Sequence, residues 1–237
     1  MQTRQRRYSV LAHSIGALAA TAALVAGCSS GGTSGTATLP DAATTLQQSA
    51  QTTKDLKSAH VEITVEGKIQ GLPVKNLSGD LTNVPATAAQ AKATITMGGS
   101  DLDADIVVVD GNLYAALTPN NWLDMGPAAE IYDPSTILSP TTGLANVLAN
   151  FSDPKSEAAE KIDGTDTVKV TGQVSADAVN KIVPQVKATG PVAGTAWIEK
   201  DGDHNLVRAR LEPSTGNAIQ MTLSDRNKPV TVAKPQV

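Results

Sequence analysis

The sequence predicts an α+β fold: a large antiparallel sheet with one wet face, and a few helices laid across the other. Three observations lead there. Apolar residues recur at every second position in several separate stretches, as half-buried strands require. Short turn signals join these stretches, so neighbouring strands run antiparallel. Three further stretches carry helical spacing, and they are the available cover for the sheet's apolar face.

The chain opens with a different kind of segment. Arg4, Arg6 and Arg7 precede an apolar run from Val10 to Val25, and Ala26-Gly27 stand directly before Cys28. A basic n-region, a short apolar run and small residues at the cut make a secretory signal over residues 1–27. The run is interrupted by His13 and Ser14 and is short of the roughly 20 residues that a spanning helix needs. Val25-Ala26-Gly27-Cys28 fits a lipobox, in which the cysteine thiol receives lipid and becomes the first residue after the cut. Two or three acyl chains, at about 0.8 kcal/mol per buried methylene, hold a protein on a membrane. Cys28 is the single cysteine of the chain, so no disulfide is available to the fold. The Gly/Ser/Thr stretch that follows, within residues 28–38, offers nothing to bury and reads as a flexible tether.

Residues 39–237 suit one domain better than two small ones. Pro40-Asp41 opens a helix whose apolar positions Ala43, Leu46, Ala50, Thr53 and Leu56 carry it to Lys57. From His60 the period changes to two: Val61, Ile63, Val65 and Ile69 alternate with Glu62, Thr64, Glu66 and Lys68. The same alternation returns at Ala91, Ala93, Ile95, Met97 and at Ala104, Ile106, Val108, with Asp103 and Asp105 outward. Asp110-Gly111-Asn112 is a tight turn into a strand from Leu113 to Leu117. A helix follows from Pro134 to Phe151, interrupted near Pro140 and Gly143, with Ile137, Leu138, Leu144, Val147, Leu148 and Phe151 on its apolar stripe. Later strands are expected over 165–172, 192–199, 206–212 and 218–223. Between the first two lies a short helix capped by Ser175, running through Ala178, Val179 and Ile182 to Pro184. The total is about nine to eleven strands.

Charge and motifs narrow the function by exclusion. The leader holds three arginines and no acid, so 16 basic residues face 23 acidic ones from Cys28 onward, a formal charge of −7. Such a surface argues against nucleic acid as a partner. Asp101, Asp103 and Asp105 resemble the first ligands of a calcium loop, but the sixth and twelfth places are Ile106 and Asn112, where Gly and Glu are needed. Strand alternation already explains the three aspartates. Of the three histidines, His13 leaves with the leader, and His60 and His204 lie at a junction and after a turn. No nucleophile elbow, zinc helix, phosphate loop or dinucleotide signature is present. No catalytic residue, metal site or cofactor is therefore expected, and the protein is read as not an enzyme. Aromatic residues are few, and the inward strand faces carry aliphatic side chains, which suit a solid core as well as an acyl-binding cavity.

Dispersed segments carry a resemblance. Asp110-Gly111-Asn112-Leu113-Tyr114, Thr118-Pro119-Asn120 with Trp122, Gly126-Pro127-Ala128-Ala129, Ile131-Tyr132-Asp133-Pro134 and the run from Thr142 to Phe151 are similar to the mycobacterial lipoprotein family typified by LppX, LprA, LprF and LprG. Leu56 to His60 and Leu77 to Thr82 add to it. The resemblance implies a strongly curved antiparallel sheet, a half-open barrel like that of the LolA and LolB carriers, with helices covering the concave face and an apolar cavity between. It implies binding and transfer of acylated glycolipids, among them triacylated glycolipids, lipoarabinomannan, phosphatidylinositol mannosides and triacylglycerol, from the inner membrane toward the outer envelope. It also implies a major-facilitator transporter as partner and an anchored place on the periplasmic side of the inner membrane, with the cell wall or the medium as further locations. On the expected geometry, the cavity is lined by Ile63, Val65, Ala93, Ile95, Met97, Ile106 and Val108 from strands and by Leu144, Val147, Leu148 and Phe151 from the covering helices. Two other readings stay open: a noncatalytic envelope scaffold that recruits a transporter, its interior solid, and a periplasmic hydrolase with a carboxylate site.

Overall fold

The computed structural model describes residues 39–237; the expected leader, Cys28 and the tether lie outside the described residues. Eleven strands form one antiparallel sheet in the order β6-β5-β4-β3-β2-β1-β11-β10-β9-β8-β7. The strands are β1 Ser58–Glu66, β2 Val74–Thr82, β3 Ala88–Met97, β4 Ser100–Val109, β5 Asn112–Ala116, β6 Leu123–Pro127, β7 Phe151–Ile162, β8 Thr165–Val174, β9 Val192–Glu199, β10 Leu206–Ser214 and β11 Asn217–Ser224. Every neighbour pair is antiparallel. Two meanders therefore meet at the β1–β11 pair, and the sheet ends in two free edges.

Four helices accompany the sheet: α1 Ala42–Lys54, α2 Ala128–Ile131, α3 Leu144–Ala149 and α4 Ala176–Ile182. Asp41 caps α1 by accepting from the Thr44 amide at 2.8 Å, which satisfies one of the orphan donors of the first turn. Its buried face is Ala42, Thr45, Leu46, Ser49, Ala50 and Thr53; Ala43, expected on that face, is exposed. Ser175 caps α4 in the same way, accepting from Ala178. The long helix expected over 134–151 is instead a single 3-10 turn, Pro134–Thr136, followed by turns and then α3. Gly143 explains the break, since a side chain there would collide with the carbonyls of Thr136 and Ile137. Phe151 does not belong to a helix: it is the first residue of β7 and pairs with Val174.

The helical layer sits over one side of the sheet only. α1 lies against α3, β7 and β9, and α4 lies against α3. Beneath them is a continuous core of Leu46, Ala50, Leu144, Val147, Leu148, Val168, Val170, Ile198, Leu211, Met221 and Leu223, with Ala59, Val61 and Leu81 from the near ends of β1 and β2. Gly172 and Gly194, paired across β8 and β9, leave room for the Phe151 ring; side chains at either glycine would press on that ring at 3.0 and 2.9 Å. Phe151 thus fills space over a glycine pair as part of the packing.

Curvature at the opposite side has a local cause. Val61, Gly79, Ala91, Ile106 and Ala115 are cross-strand partners across β1 to β5, so they share the inward face. At Gly79 a Cβ would collide with the Gln90 carbonyl and with Ala91, which shows how tightly the inward side closes there. Ala89, Ala91, Ala93 and Ala104 continue the run of small residues. Small inward side chains let the sheet bend toward that face; larger ones would hold neighbouring strands flatter.

Two ties hold the middle of the sheet and its outer face. Arg210 of β10 donates through both terminal nitrogens to the Glu66 carboxylate of β1, each at 2.7 Å, spanning the intervening β11. From β11 the chain continues as an extended tail: the Asn227 amide donates to Ser58 O, Ser58 Oγ donates to Lys228 O, and the Lys234 ammonium lies 5.4 Å from the Tyr114 ring centre. Six extended residues reach about 20 Å, close to four strand spacings, so the tail spans β1 to β5. Tyr114 points outward, as the partner of Val107, yet is wholly buried.

Gly79→Val should lower stability by about 2 kcal/mol or more through overpacking, whereas Gly190→Ala, with open space around its Cβ position, should be nearly neutral in denaturant unfolding. The Arg210 guanidinium holds the Glu66 carboxyl below its usual range. A depressed folded-state pKa gives stability that is present at neutral pH and lost as pH falls through that pKa. Glu66→Gln should therefore lower the melting midpoint at pH 7, and its difference from the wild type should vanish in acid, below the ordinary carboxylate range.

Candidate functional site

The inward face of β1 to β6 is where the sheet is left open. Core packing beneath the helices includes no residue of β4, β5 or β6 among those described, yet the inward side chains there remain apolar. On β3 and β4, Ile95 faces Leu102 and Met97 faces Ser100 across the ladder, so Met97 and Leu102 stand inward at the end of that hairpin. They are 57% and 38% exposed. Leu117, which continues the inward alternation of β5, is 49% exposed, and Leu123, partner of the inward Ala115, is 54% exposed. Met125, also on β6, is exposed as well. Four of the eight exposed large apolar side chains among the described residues, Met97, Leu102, Leu117 and Leu123, therefore gather on one side of the sheet.

A recess of about 590 Å³ crosses five consecutive strands as a groove of the outer face: outward residues, Glu62, Ser78, Lys92 and Asp105 on one side and Thr64, Asn76, Thr94 and Asp103 on the other, flank the row of Ile63, Leu77, Ala93, Ala104 and Leu117. Ile63, Leu77, Ala93 and Ala104 are successive cross-strand partners, so these segments form one row across the sheet. The inward side of the same strands, apolar and partly exposed, is the surface that can hold an elongated apolar group by excluding water.

The expected lining residues divide into two sets. Ile63 is half-buried and Ala93 buried on the inward face, as cross-strand neighbours of Leu77. Val65, Ile95 and Ile106 are half-buried on the same inward face, Met97 stands exposed at its rim, and Val108 is buried at its far end. Leu144, Val147 and Leu148 are no more than 3% exposed and belong to the packed core, so the helices fill space here instead of walling an opening. Phe151 likewise packs against that core. Leu77, Leu102, Ala104, Leu117 and Leu123 are the members that sequence reasoning missed. For Leu102 and Ala104 the signal was present, because they alternate with Asp101, Asp103 and Asp105.

The outer face holds the polar clusters. Asp101 accepts from Lys75 Nζ at 2.6 Å and from Thr96, Asp103 from Thr94, and Asp105 from Lys92 at 2.7 Å. Hydrogen bonds from Lys75 and Thr96 hold the Asp101 carboxyl below its usual range. Lysines of neighbouring strands neutralise Asp101 and Asp105, Asp103 accepts from a neutral hydroxyl, and no group of three or more His, Cys, Asp or Glu suited to a metal ion occurs among the described residues. His60 Nδ1 lies 2.7 Å from Asp80 Oδ1, and its Nε2 lies 3.2 Å from Ser78 Oγ. These are the residue types of a hydrolase triad. β2 is a central strand, however, and the backbone amides around Ser78 are engaged in the ladders to β1 and β3, so they are not free to receive an oxyanion.

Comparison with known proteins places the chain. Residues 41–232 match the LppX_LprAFG lipoprotein family. The chain is 57% identical over 238 residues to the lipoarabinomannan carrier protein LprG of Mycolicibacterium smegmatis, covering 99% of each chain. It is 53% identical over 232 residues to the protein of the same name from Mycobacterium tuberculosis, covering 98% of this chain and 96% of that one. The solved structure of LprF from Mycobacterium bovis superposes with a TM-score of 0.75 at 31% identity, covering 81% of this chain and 96% of that one.

Packed and open positions should separate by cost. Leu148→Ala should lower stability by about 3 kcal/mol, while Met97→Ala should change it by less than about 0.5 kcal/mol. Equal losses in denaturant titrations would mean that the rim is packed.

Proposed function

This chain belongs to the LppX_LprAFG lipoprotein family, and on that premise we propose that it is a membrane-anchored carrier of acylated glycolipids. The lipid chains lie along the inward face of β1 to β6, and lipid on Cys28 holds the protein at the periplasmic side of the inner membrane. The observation that carries this reading is the concentration of exposed apolar side chains, Met97, Leu102, Leu117 and Leu123, on the one face that the helices leave uncovered.

Solvation supplies the mechanism. A sixteen-carbon acyl chain exposed to water costs on the order of 12 kcal/mol at 0.8 kcal/mol per methylene, so a di- or triacylated lipid leaves a bilayer unaided only very slowly. An apolar protein wall replaces the bilayer around the chains and lowers that barrier without covalent chemistry. The head group, polar and bulky in lipoarabinomannan and in phosphatidylinositol mannosides, remains in water at the open side. Relatives named as lipoarabinomannan carriers support this cargo class; triacylglycerol suits the same wall. A major-facilitator transporter is the proposed partner that supplies or receives the lipid, and the route runs from the inner membrane toward the outer envelope.

Mass spectrometry of organic extracts from the protein purified out of a mycobacterial host should find acylated glycolipid or triacylglycerol near one molecule per chain. Ala93→Trp places a bulky ring on the inward face and should reduce lipid loading by about tenfold or more with the fold retained by circular dichroism. A stable, lipid-free wild-type protein would contradict the carrier reading and favour an envelope scaffold that recruits a transporter.

A further inference from the structure

The two ends of the sheet differ in charge, and the difference follows the open face. In this meander, successive hairpin turns alternate between ends. The turns at 67–73, 98–99, 117–122 and 215–216 share one end, and those at 83–87, 110–111, 163–164 and 200–205 share the other. Contacts agree: the Lys68 amide donates to Asn217 Oδ1 beside the 215–216 turn, and Gly71 approaches Gln185 of the β8–β9 connection.

The first four turns contain no Asp or Glu; they contain Lys68, Ile69, Leu72, Leu117 and Trp122. The second four contain Asp110, Asp163, Asp201 and Asp203. Around these four turns, Glu66 is paired with Arg210, Asp101 with Lys75, and Asp177 of α4 with Lys181, while Asp124 and Asp153, near the starts of β6 and β7, are exposed without an ion pair among the described residues. Exposed Met97 and Leu117 stand at this same end.

We propose that the end with acid-free turns docks on the surface of a lipid bilayer, presenting the mouth of the open face to the membrane from which cargo is taken. This inference rests on the carrier reading. A bilayer interface penalises carboxylates, through desolvation and repulsion by anionic lipid, and accepts apolar side chains, tryptophan and lysine. A chain of net negative charge whose four hairpin turns at one end carry no acid matches that chemistry.

The test uses the full acylated protein in vesicles of phosphatidylcholine and phosphatidylinositol containing doxyl-labelled phosphatidylcholine. Cys28 carries the lipid, so an introduced cysteine is a single labelling site. Gln70→Cys in the 67–73 turn and Asp201→Cys in the 200–205 turn are each given a fluorophore; both positions lie in turns outside the strands whose inward face holds the cargo, and the cargo carries no quencher. The proposal expects quenching several-fold stronger at Gln70→Cys than at Asp201→Cys, and equal quenching, or stronger quenching at Asp201→Cys, overturns it. Transfer of pyrene-labelled phosphatidylinositol between donor and acceptor vesicles is read in the same preparations. Normal transfer with equal quenching removes the docking proposal alone, and strong quenching at Gln70→Cys without transfer removes the carrier reading and leaves the docking contact standing.

Discussion

Close approach of small side chains on the inward face of β2 to β4 is the constraint from which the rest of this structure follows. Gly79 has no space for a Cβ against Gln90 and Ala91 of β3, and the alanines beside it allow the sheet to bend toward them. A curved sheet of eleven strands encloses more apolar surface than four helices, none longer than 13 residues, are able to cover. The helices settle over β7 to β11, where larger inward residues and the Phe151 ring give a close-packed core. The opposite half keeps its apolar wall without a filler.

That imbalance between curvature and cover would be a liability in a protein with no ligand, since large exposed apolar patches favour association. Here it is confined to the inward side, where the strands' own curvature shelters it, while the outer face is laced with cross-strand ion pairs and crossed by the C-terminal tail. Stability and binding therefore occupy different halves of one sheet. The charge difference between the turns of the two ends gives the open half a direction.

Much of this architecture was legible in the sequence. Alternation at Val61 to Val65, Ala91 to Met97 and Ala104 to Val108 located real strands, and the caps at Asp41 and Ser175 placed α1 and α4. Three strands were not visible. β2 carries Gly79 at an inward position where an apolar residue would have completed its period. β7 is an edge strand, and Pro154 with its many charges protects the edge while erasing the alternation. β6 is short and ends in Gly126-Pro127. Helical spacing through Leu144 to Phe151 was genuine over six residues and then coincidental, because Phe151 is apolar for its place over Gly172 and Gly194. The site was half legible: inward strand residues were identified by alternation, but periodicity alone does not tell whether an apolar face is covered. Leu144, Val147 and Leu148 have the same apolar character as Ile95 or Leu102, and only tertiary packing separates filled core from open wall.

The central claim is that acyl chains lie on the uncovered inward face. A glycolipid carrying a photoactivatable diazirine on its acyl chain, bound to the purified protein, irradiated, and mapped by peptide mass spectrometry, tests it most directly. Labelling on Leu77, Ala93, Ile95, Ala104 and Leu117 is the result expected. Labelling confined to the outer face or to α1 and α3, in a protein that still binds the lipid, would contradict the account.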